Sequence, residues 1–425
     1  MEIHVVSSGE TLYGIAESYG VSAERLSLNN EIPIGTPLVP GQTLVILFPE
    51  TVHTVNPGDT IAGISELYGV SENQIYRNNI NLGGRDALYI GQSVVISYTD
   101  APQDIMSVNG YAYPFIDIDL LRQTLPYNTY LTPFTYGITA DGELMMLDDE
   151  RLLRTAGEYQ TAPLMHLSTL TEDGGFDSAL ADAVLNNDSS RENLIGNVIS
   201  VMNEKGYVGL DIDFEYVPAR NRERYAEFVA EMRRRLDPLG KIVIVALAPK
   251  TSAEQPGLLY EGHDYELLGN AADYVLLMTY EWGYTYGPPL AVAPIPNVRR
   301  VLDYAVTVIP REKIYMGIPN YGYDWPLPYV QGSTRARSIS NVRAVEIARN
   351  AGVNILYDET SQSPHFEYTD TEGVLHEVWF EDARSMNAKF RLIREYSLYG
   401  AGYWNLMRPF PQNWLLLNSQ FNIRR

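Results

Sequence analysis

The 425-residue chain contains no cysteine, so disulfide bonds, thiolate zinc sites and cysteine nucleophiles are excluded. Its six histidines are scattered, and none forms the HExxH or HxH spacing of a histidine metal centre. We therefore expect neither a metal site nor a cofactor.

Long apolar runs and excess positive charge are also missing. No stretch of about 18 apolar residues exists, so no transmembrane helix is expected. The first residues, Met1 to Val6, lack the basic and apolar regions of a signal peptide, so we expect synthesis in the cytoplasm without secretion by that route. The net charge of −22 argues against nucleic acid and anionic membrane partners.

The first hundred residues contain an internal repeat. The segment 4–12 matches 53–61, and 19–22 matches 68–71. Paired Asn-Asn and Gly-Gln dipeptides follow in both copies. In each copy a short strand leads to a helix capped by Thr11 or Thr60, then to a second helix and a last strand. The pattern predicts two βααβ domains, at residues 1–48 and 51–99.

These repeated residues resemble LysM modules, which bind the N-acetylglucosamine-containing glycans of peptidoglycan and chitin. In that family the sugar groove lies between the turn after the first strand and the segment after the second helix. The resemblance implies glycan contacts at corresponding positions of the two copies: Gly9, Thr11 and Asn30, and Gly58, Thr60 and Asn79. The alternative, for most of the repeated residues, is that they only build the fold.

From about residue 105 onward strands and helices alternate, which is the rhythm of a parallel α/β barrel. Eight strand candidates lie at 108–113, 130–137, 164–168, 208–214, 242–248, 274–280, 314–319 and 402–405. The sequence thus predicts a (β/α)8 TIM barrel over 105–425. The connection 320–401 is too long for an ordinary loop and predicts an inserted α+β subdomain, at about 326–382, after strand seven.

The fourth strand candidate carries three carboxylates on one face. Asp211, Asp213 and Glu215 alternate with apolar residues, so neighbouring carboxylates lie about 6–7 Å apart on the same side of the strand. A structural ion network is disfavoured because the other seven strand candidates contain no lysine or arginine. A magnesium or calcium site would need further ligands. General acid catalysis is favoured, because crowding raises the pKa of one carboxyl group.

The segment from Gly209 to Glu215 resembles the G-x-D-x-D-x-E motif of glycoside hydrolase family 18, the chitinase-like retaining glycosidases. The residues 278–280 and Trp404 resemble further family positions. The resemblance implies substrate-assisted hydrolysis, in which Glu215 protonates the glycosidic oxygen and later activates water. Asp213 would orient the substrate acetamido group, and Asp211 would share a proton with Asp213.

The same resemblance implies residues that touch substrate. Tyr280 would bond the acetamido oxygen and Trp404 would stack beneath the sugar, although core packing is an alternative for both. Other implied contacts are Met278, Glu281, Trp282 and Asn320, with Tyr284, Tyr286, Trp325 and Tyr329 as candidate cleft walls. Loop packing is the alternative for each of these aromatic residues.

Several positions depart from the family pattern. Val208 and Phe214 stand where many chitinases have Asp and Trp, and Glu281 replaces a common Asp. The residues 166–169 replace the usual S-x-G-G. None of these changes removes the acid or its two aspartates, so they bear on substrate preference.

Two LysM-like modules joined to this barrel resemble the bacterial N-acetylglucosaminidases that degrade spore cortex peptidoglycan during germination. That resemblance implies a peptidoglycan partner, cleavage of the β-1,4 bond after N-acetylglucosamine, and a location in the spore outer layers after synthesis in the mother cell. A chitinase and a non-hydrolytic glycan-binding coat protein are the alternatives, and the presence of Glu215 disfavours the second. Nothing in the sequence demands more than a monomer.

Overall fold

The computed structural model describes residues 1–102, 104–171 and 175–425. The two terminal modules have the predicted βααβ order. In the first, strands Glu2–Val5 and Thr43–Ile46 pair antiparallel beside helices Leu12–Tyr19 and Ala23–Asn30. In the second, strands Pro49–Thr54 and Ser93–Tyr98 pair beside helices Ile61–Tyr68 and Glu72–Asn78.

The predicted helix caps of the modules are confirmed. The Thr11 hydroxyl accepts a hydrogen bond from the Gly14 N–H at 3.2 Å, and Thr60 accepts one from Gly63 at 3.0 Å. Each cap satisfies one of the backbone donors that a helix N-terminus leaves free. The repeat in the sequence therefore encodes the same local hydrogen bonds twice.

The eight predicted barrel strands form one parallel sheet that closes on itself, which confirms the barrel. In chain order they are Asp104–Ala112, Tyr130–Pro133, Ala162–Ser168, Gly209–Asp213, Ile242–Leu247, Tyr274–Leu277, Ile314–Pro319 and Gly400–Trp404. Closure comes from pairing of the eighth strand with the first, in which Ala401 lies opposite Val108. The short strand Phe421–Ile423 also pairs with the first strand.

Helices surround this sheet: Ile118–Thr124, Glu150–Glu158, Ser178–Asn186, Asp188–Lys205, Arg222–Leu236, Tyr265–Ala271, Ile295–Val308, Ala383–Tyr396 and Pro411–Gln420. Arg222–Leu236 shows why they form: Tyr225, Phe228, Val229 and Met232 are buried on one stripe and charged residues occupy the other side. A small hairpin, Gly137–Ile138 with Leu144–Met145, follows the second barrel strand. Within the described ranges, no helix combines the length and apolarity needed to cross a membrane.

The insertion after the seventh strand is an α+β subdomain, as predicted. Its antiparallel sheet contains Gly322–Pro326, Arg337–Ile339, Leu356–Asp358, Ser363–Thr369 and Leu375–Trp379, and its helix is Asn341–Ala351. The first of these strands begins shortly before residue 326, the start that the sequence predicts.

Both modules dock on the catalytic barrel. In the first, the Arg384 guanidinium donates to the Gly41 carbonyl and the Ile355 N–H donates to the Pro40 carbonyl, at 3.0 and 2.9 Å. In the second, Arg77 is buried and donates to the Pro126 carbonyl at 3.0 Å. The first module is thus held by the insertion and the helix after it, and the second by the barrel itself.

Candidate active site

The fourth barrel strand separates its two faces as its alternation predicts. Leu210, Ile212 and Phe214 are fully buried, and the Phe214 ring stacks on Tyr225 and Phe228 of the covering helix, with centroids 5.7 and 5.6 Å away. The apolar face therefore packs on the outer helices. The carboxylates on the other face point into the barrel.

Asp211 lies deepest in this row and is completely buried. The Tyr111 hydroxyl of the first strand donates to its Oδ2 at 2.5 Å, while its Oδ1 has no partner among the described residues. Burial raises the pKa of Asp211 to about 7, and the hydrogen bond from Tyr111 opposes that rise. Near neutral pH this carboxyl can therefore take or release a proton.

Asp213 is the middle carboxylate and is also buried. Burial raises its pKa well above the usual range, and repulsion from Glu215 and Asp211 raises it further. Its Oδ2 lies 3.7 Å from Nε2 of His166, and its Oδ1 has no partner in the described part of the chain. Burial lowers the pKa of His166 to about 3, so this imidazole is neutral and does not offset the negative charge.

Glu215 lies at the C-terminal end of the strand, where barrel enzymes place their catalytic groups. Its side chain is half-buried. Burial raises the pKa of Glu215 to about 7, and repulsion from Glu281 adds to the effect. A carboxyl with this pKa still carries its proton in a large fraction of molecules at neutral pH, as a general acid must.

Glu281 connects this acid to the insertion. Its carboxylate accepts hydrogen bonds from the hydroxyls of Tyr321 and Tyr323, which lie where the chain enters the insertion. Burial raises the pKa of Glu281, and the two tyrosine hydrogen bonds oppose that rise. Glu281 thus links the loop after the sixth strand to two tyrosines at the start of the insertion through hydrogen bonds.

The aromatic residues of the site come from the ends of several strands. Trp404 is half-buried at the end of the eighth strand, with its ring 4.8 Å from Phe134 and 5.8 Å from Tyr111. Tyr280 follows the sixth strand and, like Trp404, packs against a second cluster that contains Tyr321, Tyr323 and Trp325. Burial raises the pKa of Tyr280 well above its usual value, so its hydroxyl remains a hydrogen-bond donor.

Comparison with known proteins agrees with this geometry. The family model for glycosyl hydrolases family 18 matches residues 131–408, and the LysM domain model matches 4–47 and 53–97. The chain belongs to glycosyl hydrolase family 18. It is therefore a glycosidase, and its two terminal modules are LysM domains.

Full-length relatives share both parts. The cortical fragment-lytic enzyme of Bacillus subtilis (strain 168) is 43% identical over 100% of this chain and 99% of the relative. The crystal structure of the Bacillus megaterium QM B1551 spore cortex-lytic enzyme SleL is 38% identical, with a TM-score of 0.84 over 99% of this chain and 98% of that one. The crystal structure of the Bacillus cereus spore cortex-lytic enzyme SleL is 36% identical, with a TM-score of 0.85 over 100% of this chain and 98% of that one.

Of the other predicted substrate contacts in this glycosidase, Met278 and Trp282 are half-buried beside Tyr280. Asn320 is almost fully buried, and its Nδ2 donates to the carbonyls of Asn405 and Arg408 at 3.0 and 2.9 Å. It therefore fixes the loop that follows Trp404, and its remaining Oδ1 has no partner within the described residues.

For one candidate cleft wall the structure shows the alternative, which is packing. Trp325 is fully buried, and its Nε1 donates to the Gly287 carbonyl at 2.8 Å, so it is a core residue between the insertion and the loop after strand six. Tyr284 and Tyr286 of that loop are exposed. The Tyr329 hydroxyl donates to the Tyr286 carbonyl at 3.0 Å and braces the loop.

The predicted glycan contacts of the LysM domains fall into two groups. Gly9, Thr11, Gly58 and Thr60 are exposed on their turns. Asn30 and Asn79 are buried instead, and each side chain bonds both the N–H and the C=O of the last strand of its module. These two side chains hold each module together, and their burial keeps them from contacting a sugar directly.

Some residues of the site escape prediction from the sequence. Tyr111 could have been found, because it lies in the first strand on the side that alternation turns inward. His166 stands in the third strand at a position where the sequence departs from the family pattern. His263, which bonds the Phe214 carbonyl, lies in a loop and carries no sequence signal.

Proposed function

We propose that this enzyme is a retaining, substrate-assisted N-acetylglucosaminidase that cleaves the β-1,4 bond after N-acetylglucosamine in peptidoglycan. The observation that carries the proposal is the row of Asp211, Asp213 and Glu215 on the inward face of one barrel strand, where burial raises the pKa of each carboxyl group. Such a row offers proton donors, and among the described residues no lysine or arginine forms an ion pair with it. It does not require a metal or a cofactor.

In the first step Glu215 gives its proton to the glycosidic oxygen, and the bond from that oxygen to the anomeric carbon breaks. The acetamido carbonyl oxygen of the same sugar forms a new bond to the anomeric carbon, giving an oxazolinium ion. Asp213 accepts a hydrogen bond from the acetamido N–H and stabilises its growing positive charge. Tyr280 donates to the acetamido oxygen and holds it in line for attack.

In the second step water attacks the anomeric carbon and Glu215, now ionised, takes the proton from that water. The oxazolinium ring opens and the acetamido group is restored. Two inversions at one carbon give net retention of the β configuration. The family is one of those in which the substrate replaces the second carboxylate as nucleophile.

The polymer that the enzyme acts on is inferred from the other domains of the chain and from its relatives. LysM domains accompany the barrel, and the full-length relatives are named for spore cortex lysis. We therefore assign spore cortex peptidoglycan as the substrate, hydrolysed during germination. The proposed location is the spore outer layers, and the proposed active form is a monomer.

Two readouts test this proposal. Digestion of cortex fragments should release products with N-acetylglucosamine at the reducing end, identified by mass spectrometry after borohydride reduction. Proton NMR during the first minutes should show the β anomer before mutarotation. Muramic sugar at the reducing end or an initial α anomer would overturn it. Faster turnover of chitooligosaccharides than of cortex fragments would favour a chitinase instead.

A further inference from the structure

A buried histidine ties the catalytic strand to its neighbour. His263 is fully buried in the loop after the fifth barrel strand, and its Nδ1 lies 2.9 Å from the Ala248 backbone nitrogen. Its Nε2 lies 2.9 Å from the Phe214 carbonyl oxygen. Because the Ala248 N–H can only donate, Nδ1 is the acceptor and Nε2–H donates to Phe214. Burial lowers the pKa of His263 to about 4, so the ring is neutral near pH 7.

The hydrogen bond from His263 to the Phe214 carbonyl lies just beyond the end of the strand pairing, where the sheet no longer positions Glu215. Pairing of the fourth strand with the third ends at Asp213, opposite Ser168. The Phe214 carbonyl and the Glu215 N–H belong to one planar peptide group. The imidazole therefore sets the orientation of the peptide from which the Glu215 side chain departs.

The histidine itself has little freedom. The Lys250 ammonium, which is almost fully buried, donates to the His263 carbonyl at 2.9 Å. At Gly262 a Cβ atom would lie 2.2 Å from the Val217 carbonyl oxygen, so the loop backbone is pressed against the segment after Glu215. The ring is thus fixed from both sides of the loop.

We propose that His263 is a positioning residue for Glu215. It touches no substrate and transfers no proton, and it acts by holding the Phe214–Glu215 peptide in the geometry for proton donation. This inference rests on the assignment of Glu215 as the acid.

The test removes the two hydrogen bonds of the His263 ring together or one at a time, in the full-length enzyme. His263→Ala loses both. His263→Asn can still accept from Ala248 but is too short to reach Phe214, whereas the longer amide of His263→Gln can donate to Phe214. A misplacement of about 1 Å can cost about 10²-fold in rate. We expect kcat to fall about that far in the Ala and Asn variants, with KM little changed, and the Gln variant to recover most of it.

Tyr265→Phe is the matched control. Tyr265 begins the helix that follows this loop, and its hydroxyl donates to the Ala248 carbonyl at 2.6 Å and accepts from the Lys250 N–H at 2.9 Å, with no hydrogen bond to Phe214. This variant should lose thermal stability comparably to His263→Asn yet keep its kcat. If Tyr265→Phe and His263→Asn lose kcat equally, or if His263→Gln is no more active than His263→Asn, His263 has only a structural role and the inference is overturned.

The assignment of the acid is tested separately. If Glu215→Gln abolishes turnover and His263→Ala does not lower kcat, only the positioning role fails. If Glu215→Gln turns over like wild type, the proposed mechanism fails first, whatever the histidine variants show.

Discussion

The hydroxyl of Tyr111 donates a 2.5 Å hydrogen bond to Oδ2 of Asp211, at the bottom of the carboxylate row. The other oxygen of that carboxyl and Oδ1 of Asp213 are both buried without a partner among the described residues. Unpaired buried carboxylate oxygens are costly. A proton on either aspartate would remove one of these negative charges, and the hydrogen bond from Tyr111 holds the carboxyl group of Asp211 in place.

Tyr111→Phe should lower kcat about tenfold or more, because a hydrogen bond to a charged group contributes about 1.5–3 kcal/mol. Loss of the bond also raises the pKa of Asp211, since that bond opposes the effect of burial. Steady-state kinetics on cortex fragments would measure the change. The control is Tyr127→Phe, a fully buried tyrosine that bonds the Arg77 carbonyl far from the row. Equal rates for wild type and Tyr111→Phe would contradict the role.

The activity should decline above neutral pH. Glu215 must be protonated to act, and its pKa is raised to about 7 by burial and by Glu281. Deprotonation above that value removes the acid, so the alkaline limb of kcat/KM should be centred near pH 7. A pH series on a soluble fragment measures it. A rate that stays constant from pH 6 to about pH 9 would refute the assignment.

Glu281→Gln should move that alkaline limb to lower pH. The Glu281 charge helps to keep the proton on Glu215, and the amide removes the charge while its oxygen can still accept from Tyr321 and Tyr323. Glu281→Asp keeps the charge and serves as the control for changed length. If the Gln and Asp variants show the same alkaline limb as wild type, the charge of Glu281 does not tune the acid.

The LysM repeat supplies a matched pair for testing the docking of the first module. Gly41 and Gly91 correspond in sequence and have φ values of 87° and 84°, so alanine is strained at both, by about 1–2 kcal/mol. Only at Gly41 would a Cβ atom collide, at 1.8 Å from the Ile355 carbonyl oxygen, while Gly91 faces open space.

Gly41→Ala should therefore loosen the first module from the insertion, and Gly91→Ala should not. Hydrogen exchange of the Ile355 amide, which donates to Pro40, reports the contact directly. We expect faster exchange in the Gly41 variant alone. Equal exchange in the two variants would mean that the collision is relieved without undocking.

Much of the fold was predictable because local rules decide it. Buried parallel strands appear as short apolar runs, and Arg222–Leu236 shows a plain helical stripe. The carboxylate row was predictable for the same reason, since alternation along one strand places Asp211, Asp213 and Glu215 on one face. The sequence left open whether Trp325 lines the cleft or packs in a core, because aromatic side chains suit both, and its burial decides for the core.

Alternation alone turns Tyr111 inward, but which residues pair with the row could not be predicted, because the pairings join different strands and loops. Tyr111 precedes Asp211 by a hundred residues, and His263 follows Phe214 by 49. Closure of the barrel brings the first pair together, and the path of one loop brings the second. Neither the register of the barrel strands nor the path of that loop can be read from the spacing of residues along the sequence.

The most direct test of the account is mass spectrometry of spore cortex digested by wild type and by Glu215→Gln. Glutamine keeps the shape of the side chain but has no acidic proton to give to the glycosidic oxygen. We expect reducing-end N-acetylglucosamine products from wild type and a loss of at least about 10²-fold in their rate of release from the variant. Unchanged products at an unchanged rate would contradict it.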